Sequence, residues 1–371
     1  MELTSEDALR LNVLLANGAQ AIRIDEADMT LYALTARGEA AIPLHPEGRK
    51  ETYLRLVREL LSGHALGSPG GFPVYLRNWT RSGQPMGDNL DKLLLLGEPE
   101  AVVSVAYSPK LTADLARLAW WALPVADNAR RMLERECVAD APIGKVLADH
   151  LIEHLPFESS PHIRMDTVRI VLHPGLIDEG ARLRLWNKAS GDNAFYVPFL
   201  LRAPDDLPGG HSPHGERESL LPLLTSLAQA GNPWAALLLR VMSGSGQAFL
   251  RAAGEVVARP ADQDVAGAAF NAVAGYFAAV RVRENGFGNI DALLAEAEAL
   301  LDNAAAGEVL AQAPALRDEL RAMLLLAHID AELARSILSR TTAAGTLLRR
   351  KLEPLTAPML RQMALLRGIR K

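Results

Sequence analysis

The chain has 371 residues, of which 49% are hydrophobic and 22% are charged, and its formal net charge is -5. This composition excludes an intrinsically disordered chain, and the length predicts two domains or one long array. A single cysteine excludes an internal disulfide framework and any multi-cysteine metal or cluster site. No window reaches the roughly 20 uninterrupted apolar residues that a membrane helix needs, and the first residues do not resemble a secretion signal. We therefore expect a soluble, cytoplasmic protein without membrane insertion.

Residues 1–97 predict a small α+β portion. Thr4 is suited to cap an N-terminal helix, and Asn17-Gly18 predicts the end of that helix, because glycine tolerates the left-handed conformation of a C-cap. The other predicted elements are strands at residues 21–25, 29–35 and 40–44 and a helix at residues 49–62. Gly63 is predicted to end that second helix.

An internal repeat occupies residues 98–202. Residues 101–134 align without a gap on residues 166–199, and ten of the thirty-four positions are identical. The identical pairs are Val103/Val168, Pro109/Pro174, Leu111/Leu176, Ala116/Ala181, Arg117/Arg182, Leu118/Leu183, Trp121/Trp186, Asp127/Asp192, Asn128/Asn193 and Ala129/Ala194. Self-similarity at one helical period is typical of stacked helix pairs, in which each copy covers its neighbour's apolar face. The alternative is that helices rich in Ala, Leu and Arg match by composition alone.

Two features of the repeat carry specific expectations. Asp127-Asn128 and Asp192-Asn193 each precede an Ala-rich helix, where an Asx side chain can cap the free backbone N–H groups. Trp121 and Trp186 hold equivalent positions in the two copies, so the repeat predicts similar surroundings for both rings.

Residues 216–371 predict an almost entirely helical block, and the Pro/Gly-rich residues 203–215 predict a linker or exposed loop before it. The predicted helices cover residues 216–230, 233–243, 246–258, 263–282, 289–303, 308–326, 328–340 and 355–367. The fold class is therefore expected to be mainly α, with a small N-terminal α+β portion followed by a HEAT-like array of helix pairs. The predicted segments are residues 1–97, 98–202, 203–215 and 216–371.

The leading candidate binding surface lies in a glycine-rich segment of the N-terminal portion. If residues 74–81 are extended, the two-residue period of a strand places Tyr75, Arg77, Trp79 and Arg81 on one face. Two guanidinium groups interleaved with two aromatic rings can bind an anion, a nucleic-acid strand or an acidic partner. The alternative is a surface loop whose rings pack on the first helices and whose arginines are solvated.

His150, Glu153 and His154 spell the pattern H-x-x-E-H. On a helix both imidazoles could bind one zinc ion while the glutamate acts as a base. Pro156 follows at once and a third ligand would have to come from a distant segment, so ordinary solvated or partly packed histidines are the favoured interpretation. We predict no resident metal or other cofactor.

Cys137 is the single thiol, and the neighbouring Arg135 favours its thiolate form. Such a thiol could carry a persulfide or sense oxidation, and the alternative is a small residue packed between repeats. No Ser-His-Asp set, nucleophile elbow or dinucleotide-binding glycine pattern is convincing, so we predict no catalytic residues.

The C-terminal end is basic, because residues 331–371 hold nine Lys or Arg against two Glu. A basic end on an acidic body could contact RNA or an acidic protein. It could equally complement the body itself or the C-terminal ends of helices.

Four strings carry a resemblance to a known family: LNVLLAN at residues 11–17, GHALGSPGGFPVYLR at 63–77, LLLLGEPE at 93–100 and DNARRMLE at 127–134. Together they resemble the DsrS family, soluble accessory proteins encoded in the dsr clusters of sulfur-oxidising bacteria. The resemblance covers most of the chain, and its glycine-rich string is the most specific part. It implies a bacterial cytoplasmic protein linked to oxidation of stored sulfur through the reverse-acting dissimilatory sulfite reductase, and it carries over no catalytic or ligand-binding residue.

The sequence therefore favours an accessory or scaffold protein that binds a protein partner of the Dsr system rather than an enzyme. One alternative is a sulfur-handling protein that uses the thiol of Cys137. The other is an RNA-binding post-transcriptional regulator of dsr expression.

Overall fold

The computed structural model describes residues 3–67, 72, 89–283, 286–339 and 345–369. It divides the chain into two compact units, with unit 1 formed by Met1–His154 and His173–Leu176 and unit 2 by Leu155–Leu172 and Ile177–Lys371. These limits differ from the segment boundaries after residues 97 and 202, so the four-segment division stays a prediction. No helix in the described ranges is long and apolar enough to span a bilayer.

The described chain is mainly α with one small sheet, which confirms the predicted fold class. Unit 1 begins with α1 (Ser5–Ala16), β1 (Ala19–Asp25), β2 (Thr30–Thr35), β3 (Gly38–Pro43) and α2 (Lys50–Leu66). The strands form an antiparallel sheet in the order β1–β2–β3, with Leu31 opposite Ile24 on one side and Ile42 on the other. The two helices and the sheet bury one apolar core around Leu11, Leu31 and other residues of these elements.

The ends of these helices test the predicted caps. The Thr4 hydroxyl accepts a hydrogen bond from the Asp7 backbone N–H (3.2 Å), and Gly18 after α1 is left-handed with φ 76°, as predicted. The end predicted at Gly63 is wrong, because α2 continues to Leu66. Buried Ala65 continues its apolar face, and Gly67 with φ 67° supplies the left-handed C-cap.

The remainder of unit 1 is helical. Its helices are α3 (Leu90–Leu93), α4 (Pro99–Ala106), α5 (Ala113–Ala122), α6 (Ala126–Leu133), α7 (Glu136–Ala139) and α8 (Pro142–His154). Pro99 opens α4 at a position where no intrahelical N–H is needed, and Thr112 caps α5 by accepting from the Leu115 N–H. Consecutive helices of this series pack against each other, which is how each covers its apolar face.

Unit 2 contains helices and loops and no strand in its described part. Its helices are α9 (Pro161–Val171), α10 (Glu179–Lys188), α11 (Tyr196–Arg202), α12 (Arg217–Gln229), α13 (Pro233–Met242), α14 (Gly244–Ala258), α15 (Gln263–Tyr276), α16 (Ile290–Leu301), α17 (Ala304–Gln312), α18 (Arg317–His328), α19 (Ala331–Leu338) and α20 (Gly345–Leu366). Neighbours such as α12 and α13 form packed pairs, and α20 packs on both α14 and α18.

Asn232 shows how local sequence and long-range packing combine in unit 2. Its side-chain oxygen accepts from the backbone N–H groups of Trp234 (3.0 Å) and Ala235 (3.1 Å), while Pro233 fills the first position of α13. Its amide nitrogen donates to the Ala305 carbonyl at 2.7 Å, which ties α13 to α17. Trp234 itself is fully enclosed by the core that these helices share.

The two copies of the repeat share the order of their helices but differ in their detailed contacts. The helices α4, α5 and α6 of the first copy recur as α9, α10 and α11, yet the first copy lies in unit 1 and most of the second in unit 2. The Trp121 Nε1–H donates to Glu39 at 2.8 Å, whereas the Trp186 ring packs edge-to-face against Tyr196 and Phe199. The expectation of similar tryptophan surroundings is therefore wrong, because Trp121 lies against the charged Arg23 and Glu39 of the sheet, whereas Trp186 packs on the core of unit 2.

Of the two predicted Asx caps, one is present and the other is absent. Asp192 accepts a hydrogen bond from the Ala194 backbone N–H, as predicted. Asp127 and Asn128 lie inside α6, which starts after Val125 without a side-chain cap. There the Asn128 amide donates back to the Leu123 carbonyl at 3.1 Å, so this cap prediction is wrong.

Proline accounts for two further differences. The single helix predicted at residues 308–326 is two helices, α17 and α18, because the chain turns at Pro314. Conversely α20 is longer than residues 355–367 and holds Pro354 and Pro358 in its interior. A buried apolar face running the length of α20 offsets the backbone hydrogen bonds that the prolines cannot donate.

Candidate functional site

A cleft of about 550 Å³ lies in unit 2, between the end of α10, the face of α14 and the end of α20. Its lining residues are Ala189, Ser190, Asn193, Leu250, Arg251, Gly254, Glu255, Ala258, Arg259, Leu360, Met363, Ala364 and Arg367. Among the described residues, this lining includes three arginines and one carboxylate, and it contains no histidine or cysteine. Its chemistry therefore suits non-covalent binding of an anion better than proton transfer or nucleophilic attack.

Helical spacing on α14 organises one wall of the cleft. Arg251, Glu255 and Arg259 follow each other at intervals of four residues and so line one face of the helix and its end. The adjacent row consists of Leu250, Gly254 and Ala258 and forms an apolar floor beside the charges.

The opposite wall is α20, which runs antiparallel to α14. The Gln247 amide near the start of α14 donates to the Leu366 carbonyl at the end of α20 (3.1 Å), whereas Gly254 further along α14 faces Leu360 and Met363. Arg367 therefore lies near the start of α14, and Arg259 follows its last residue. The α14 residues that line the cleft run from Leu250 to Arg259, so this wall extends about 14 Å along the helix axis.

The arginines of the cleft differ in their partners. Arg251 pairs with Glu255 across one turn of α14, with 3.3 Å between Nε and Oε1. Within the described part of the chain, neither the Arg259 nor the Arg367 side chain has a hydrogen bond or an ion pair. Arg367 is half-buried and Arg259 is exposed, so both guanidinium groups remain accessible for an incoming anion.

The polar neutral residues of the cleft already have partners. The Asn193 amide donates to the Arg259 backbone carbonyl at 2.7 Å, and the Ser190 hydroxyl donates to the Asn187 carbonyl at 2.9 Å. Asn193 thereby satisfies a carbonyl at the C-terminal end of α14, where intrahelical donors are missing. These contacts fix the shape of the wall and leave charge recognition to the arginines.

A smaller concavity of about 130 Å³ adjoins the cleft on the other side of the Arg251–Glu255 pair. Trp186, Tyr196 and the loop at Gly209-Gly210 line it. Burial, and then the neighbouring Glu255 carboxylate, raise the pKa of Tyr196, so its phenol stays protonated and can donate to that carboxylate. The concavity is too small for more than a side-chain-sized group, and it extends the same charged row.

The predicted Arg/aromatic face cannot be placed by the structure. Tyr75, Arg77, Trp79 and Arg81 lie outside the described residues. Their role in binding a partner stays a prediction.

The H-x-x-E-H residues lie at the end of α8 in unit 1. The rings of His150 and His154 stack with centroids 3.9 Å apart, and the His154 Nδ1 lies 2.9 Å from the His150 carbonyl. Burial, and then the charge of His154, lower the pKa of His150 despite the opposing effect of Glu153. In the part of the chain that the structure describes, no group of three or more His, Cys, Asp or Glu residues is arranged to hold a metal ion.

Cys137 lies in the short helix α7 and is exposed, with its Sγ 3.4 Å from the Leu111 carbonyl oxygen. The alternative of a thiol enclosed between repeats does not match this exposure. The sulfur-handling role of this thiol stays a prediction.

Sequence reasoning missed the cleft itself. Its residues come from three stretches, 189–193, 250–259 and 360–367, of which only the last lies in a segment whose basic character stands out in the sequence. The one local signal was the spacing of Arg251, Glu255 and Arg259, which is equally common on a solvated helix face.

Comparison with known proteins identifies no relative: no family model, no curated protein and no solved structure matches the chain.

Proposed function

We propose that this protein acts by binding, and that the cleft of unit 2 receives an anionic group of a protein partner. The observation that carries the proposal is the pair of arginines, Arg259 and Arg367, that line one cleft without an ion-pair partner among the described residues. An arginine presents planar N–H donors that match a carboxylate, and a partly enclosed site strengthens this interaction.

The resemblance to the DsrS family suggests the cellular process in which this binding takes place. We place the protein as a cytoplasmic accessory protein of dsr-dependent oxidation of stored sulfur, with a component of the Dsr system as its partner. Because the lining of the cleft supports binding rather than catalysis, the proposed contribution is to hold a partner.

Affinity purification of the tagged full-length protein from sulfur-grown cells tests this proposal. Wild-type protein is expected to recover a Dsr protein. The double variant Arg259→Ala/Arg367→Ala is expected to recover at least about tenfold less of that protein, because each lost charge-assisted contact weakens binding. Arg350→Ala is the matched control, because Arg350 is exposed on α20 and does not line the cleft.

Two outcomes contradict the proposal. Recovery of no Dsr protein by the wild type removes the Dsr setting, and equal recovery by wild type and double variant removes the cleft as the binding site. Recovery of RNA instead, with steep loss as salt is raised, would establish the RNA-binding alternative.

A further inference from the structure

The ion pair between Arg251 and Glu255 lies where the cleft and the smaller concavity meet. Of the described residues that line the two spaces, only these two line both. An anion that enters the cleft therefore meets an arginine that already has a carboxylate partner, in addition to the arginines at 259 and 367.

Glu255 opposes the binding of an anion in two ways. Its Oε1 lies 3.3 Å from the Arg251 Nε, so part of the guanidinium is already engaged. Its negative charge also lies on the wall of the cleft, where it repels an incoming carboxylate. The lining of the cleft thus includes an anion of its own that competes with the ligand.

The Arg251–Glu255 pair is weak enough to exchange. The Arg251 side chain is 61% exposed and the Glu255 side chain 44% exposed, so water screens their attraction. An exposed pair one helical turn apart changes an equilibrium by only about twofold. A partner carboxylate that makes charge-assisted hydrogen bonds in the cleft gains more than this, so Arg251 can turn from Glu255 to the ligand.

Tyr196 provides Glu255 with a second donor. Burial, and then the charge of Glu255, raise the pKa of Tyr196, so the phenol keeps its proton and donates it to the Glu255 carboxylate. Tyr196 lines the smaller concavity and not the cleft. When Arg251 leaves, Glu255 therefore keeps a hydrogen bond on the side of the concavity.

We infer that Glu255 is a built-in competitor of the partner: it holds Arg251 before binding, then yields Arg251 to an acidic side chain of the partner and keeps its bond to Tyr196. The inference rests on the proposed function, because it identifies the anionic group in the cleft as an aspartate or glutamate side chain of the partner protein. Glu255 thereby sets the affinity of the cleft and excludes groups that are too weakly charged to displace it.

Calorimetric titration of the full-length protein at low salt tests the inference, with an acetylated and amidated tetraglutamate peptide as the probe. Glu255→Gln is expected to bind this peptide about fivefold tighter than the wild type, because both the competition and the repulsion are removed. Glu59→Gln is the matched control and should leave the affinity unchanged, since it removes the same charge from the exposed Arg55–Glu59 pair of unit 1. The tetraglutamine peptide is expected not to bind to any of these proteins.

A double-mutant cycle separates exchange of Arg251 from simple repulsion by Glu255. Arg251→Ala is expected to weaken binding of the acidic peptide, because one charge-assisted contact is lost. In this background, Glu255→Gln should improve affinity by only about twofold, since only the repulsion remains to be removed. An equal gain with Arg or Ala at position 251 would overturn the exchange.

Tyr196→Phe tests the second donor. It should weaken binding of the acidic peptide by about twofold when Glu255 is present, because the carboxylate then depends on Arg251 alone. Combined with Glu255→Gln it should have no effect, since a neutral glutamine does not hold Arg251 in an ion pair. An equal loss in both backgrounds would overturn the assigned role of Tyr196.

Unchanged or weaker binding of the acidic peptide by Glu255→Gln overturns the inference as a whole. Partner recovery that depends on Arg259 and Arg367 but does not rise with Glu255→Gln removes only this inference. A gain in peptide affinity that depends on Arg251, together with failed recovery of any Dsr protein, removes only the proposed partner.

Discussion

Replacing Gly246 by alanine is expected to destabilise unit 2 by about 3 kcal/mol. Gly246 is the third residue of α14 and is buried where α13 turns into α14 at Ser243. A Cβ atom there would overlap the backbone carbonyl oxygens of Arg240 and Val241 and would lie 2.7 Å from the Val241 carbonyl carbon. Because backbone atoms at a helix end cannot move aside alone, the two helices would have to separate.

Gly275→Ala is the matched control for this substitution. Gly275 lies near the end of α15 with nothing within 4 Å of its Cβ position, so alanine there should raise stability slightly through helix propensity. Thermal unfolding followed by circular dichroism should show a midpoint lower by roughly 6–12 °C for Gly246→Ala and unchanged or higher for Gly275→Ala. A Gly246→Ala midpoint within 2 °C of the wild type, on the order of the change expected for a neutral site, would contradict the close approach.

A glycine in unit 1 packs equally closely against the backbone carbonyl groups at the end of the preceding helix. Gly144 is the third residue of α8 and follows the short turn after α7. A Cβ atom at Gly144 would overlap the Ala139 carbonyl oxygen and would lie 2.7 Å from that of Val138. In both units a glycine at the third position lets one helix end pack directly on the start of the next.

Local patterns predicted much of the fold because they involve neighbouring residues. Thr4 capping α1, the turn at Gly18 and Pro233 at the start of α13 depend on backbone groups within a few residues. Alternation and apolar spacing located the three strands and most helices for the same reason. Errors arose where packing outweighed the local signal, as at Pro354 and Pro358 inside α20.

The cleft could not be predicted because its identity depends on which distant helices meet. Arg259 and Arg367 are ordinary surface arginines in sequence, and they share a cleft because α20 returns antiparallel along α14. The repeat predicted similar surroundings for its two tryptophans, and this expectation is wrong for a related reason. Trp121 and Trp186 match in sequence, but Trp121 contacts charged side chains of the sheet in unit 1 and Trp186 contacts aromatic rings of unit 2.

Replacing Asp7 by alanine is expected to destabilise unit 1 by about 3 kcal/mol at pH 7. The Asp7 carboxylate is fully buried and accepts hydrogen bonds from the Tyr53 hydroxyl (2.5 Å) and the His45 backbone N–H (2.8 Å). Its other oxygen lies 3.0 Å from the His45 ring Nδ1. Removal of the carboxylate leaves the buried phenol of Tyr53 with only its longer contacts to Thr4 (3.3 and 3.4 Å) and breaks the hydrogen bonds between Asp7 in α1 and the chain after β3.

Glu6→Ala is the control, because Glu6 is the exposed neighbour of Asp7 in α1 and its pair with Arg10 is worth at most about 1 kcal/mol. Chemical unfolding should therefore show a much smaller loss for Glu6→Ala than for Asp7→Ala. Equal losses would show that the buried hydrogen bonds of Asp7 contribute nothing specific.

The pH dependence of the Asp7 effect follows from its hydrogen bonds. Burial alone would raise the pKa of Asp7, but the bonds from the His45 N–H, the Tyr53 hydroxyl and the His45 ring outweigh burial and lower it. A carboxyl with a lowered folded-state pKa stabilises the protein above its unfolded pKa of about 4, and that stability is lost as the pH falls through the folded-state value. The difference in unfolding free energy between wild type and Asp7→Asn should therefore be fully present near neutral pH and shrink below about pH 4. A difference that stays constant or grows in acid would show that Asp7 is held protonated by burial rather than charged by its donors.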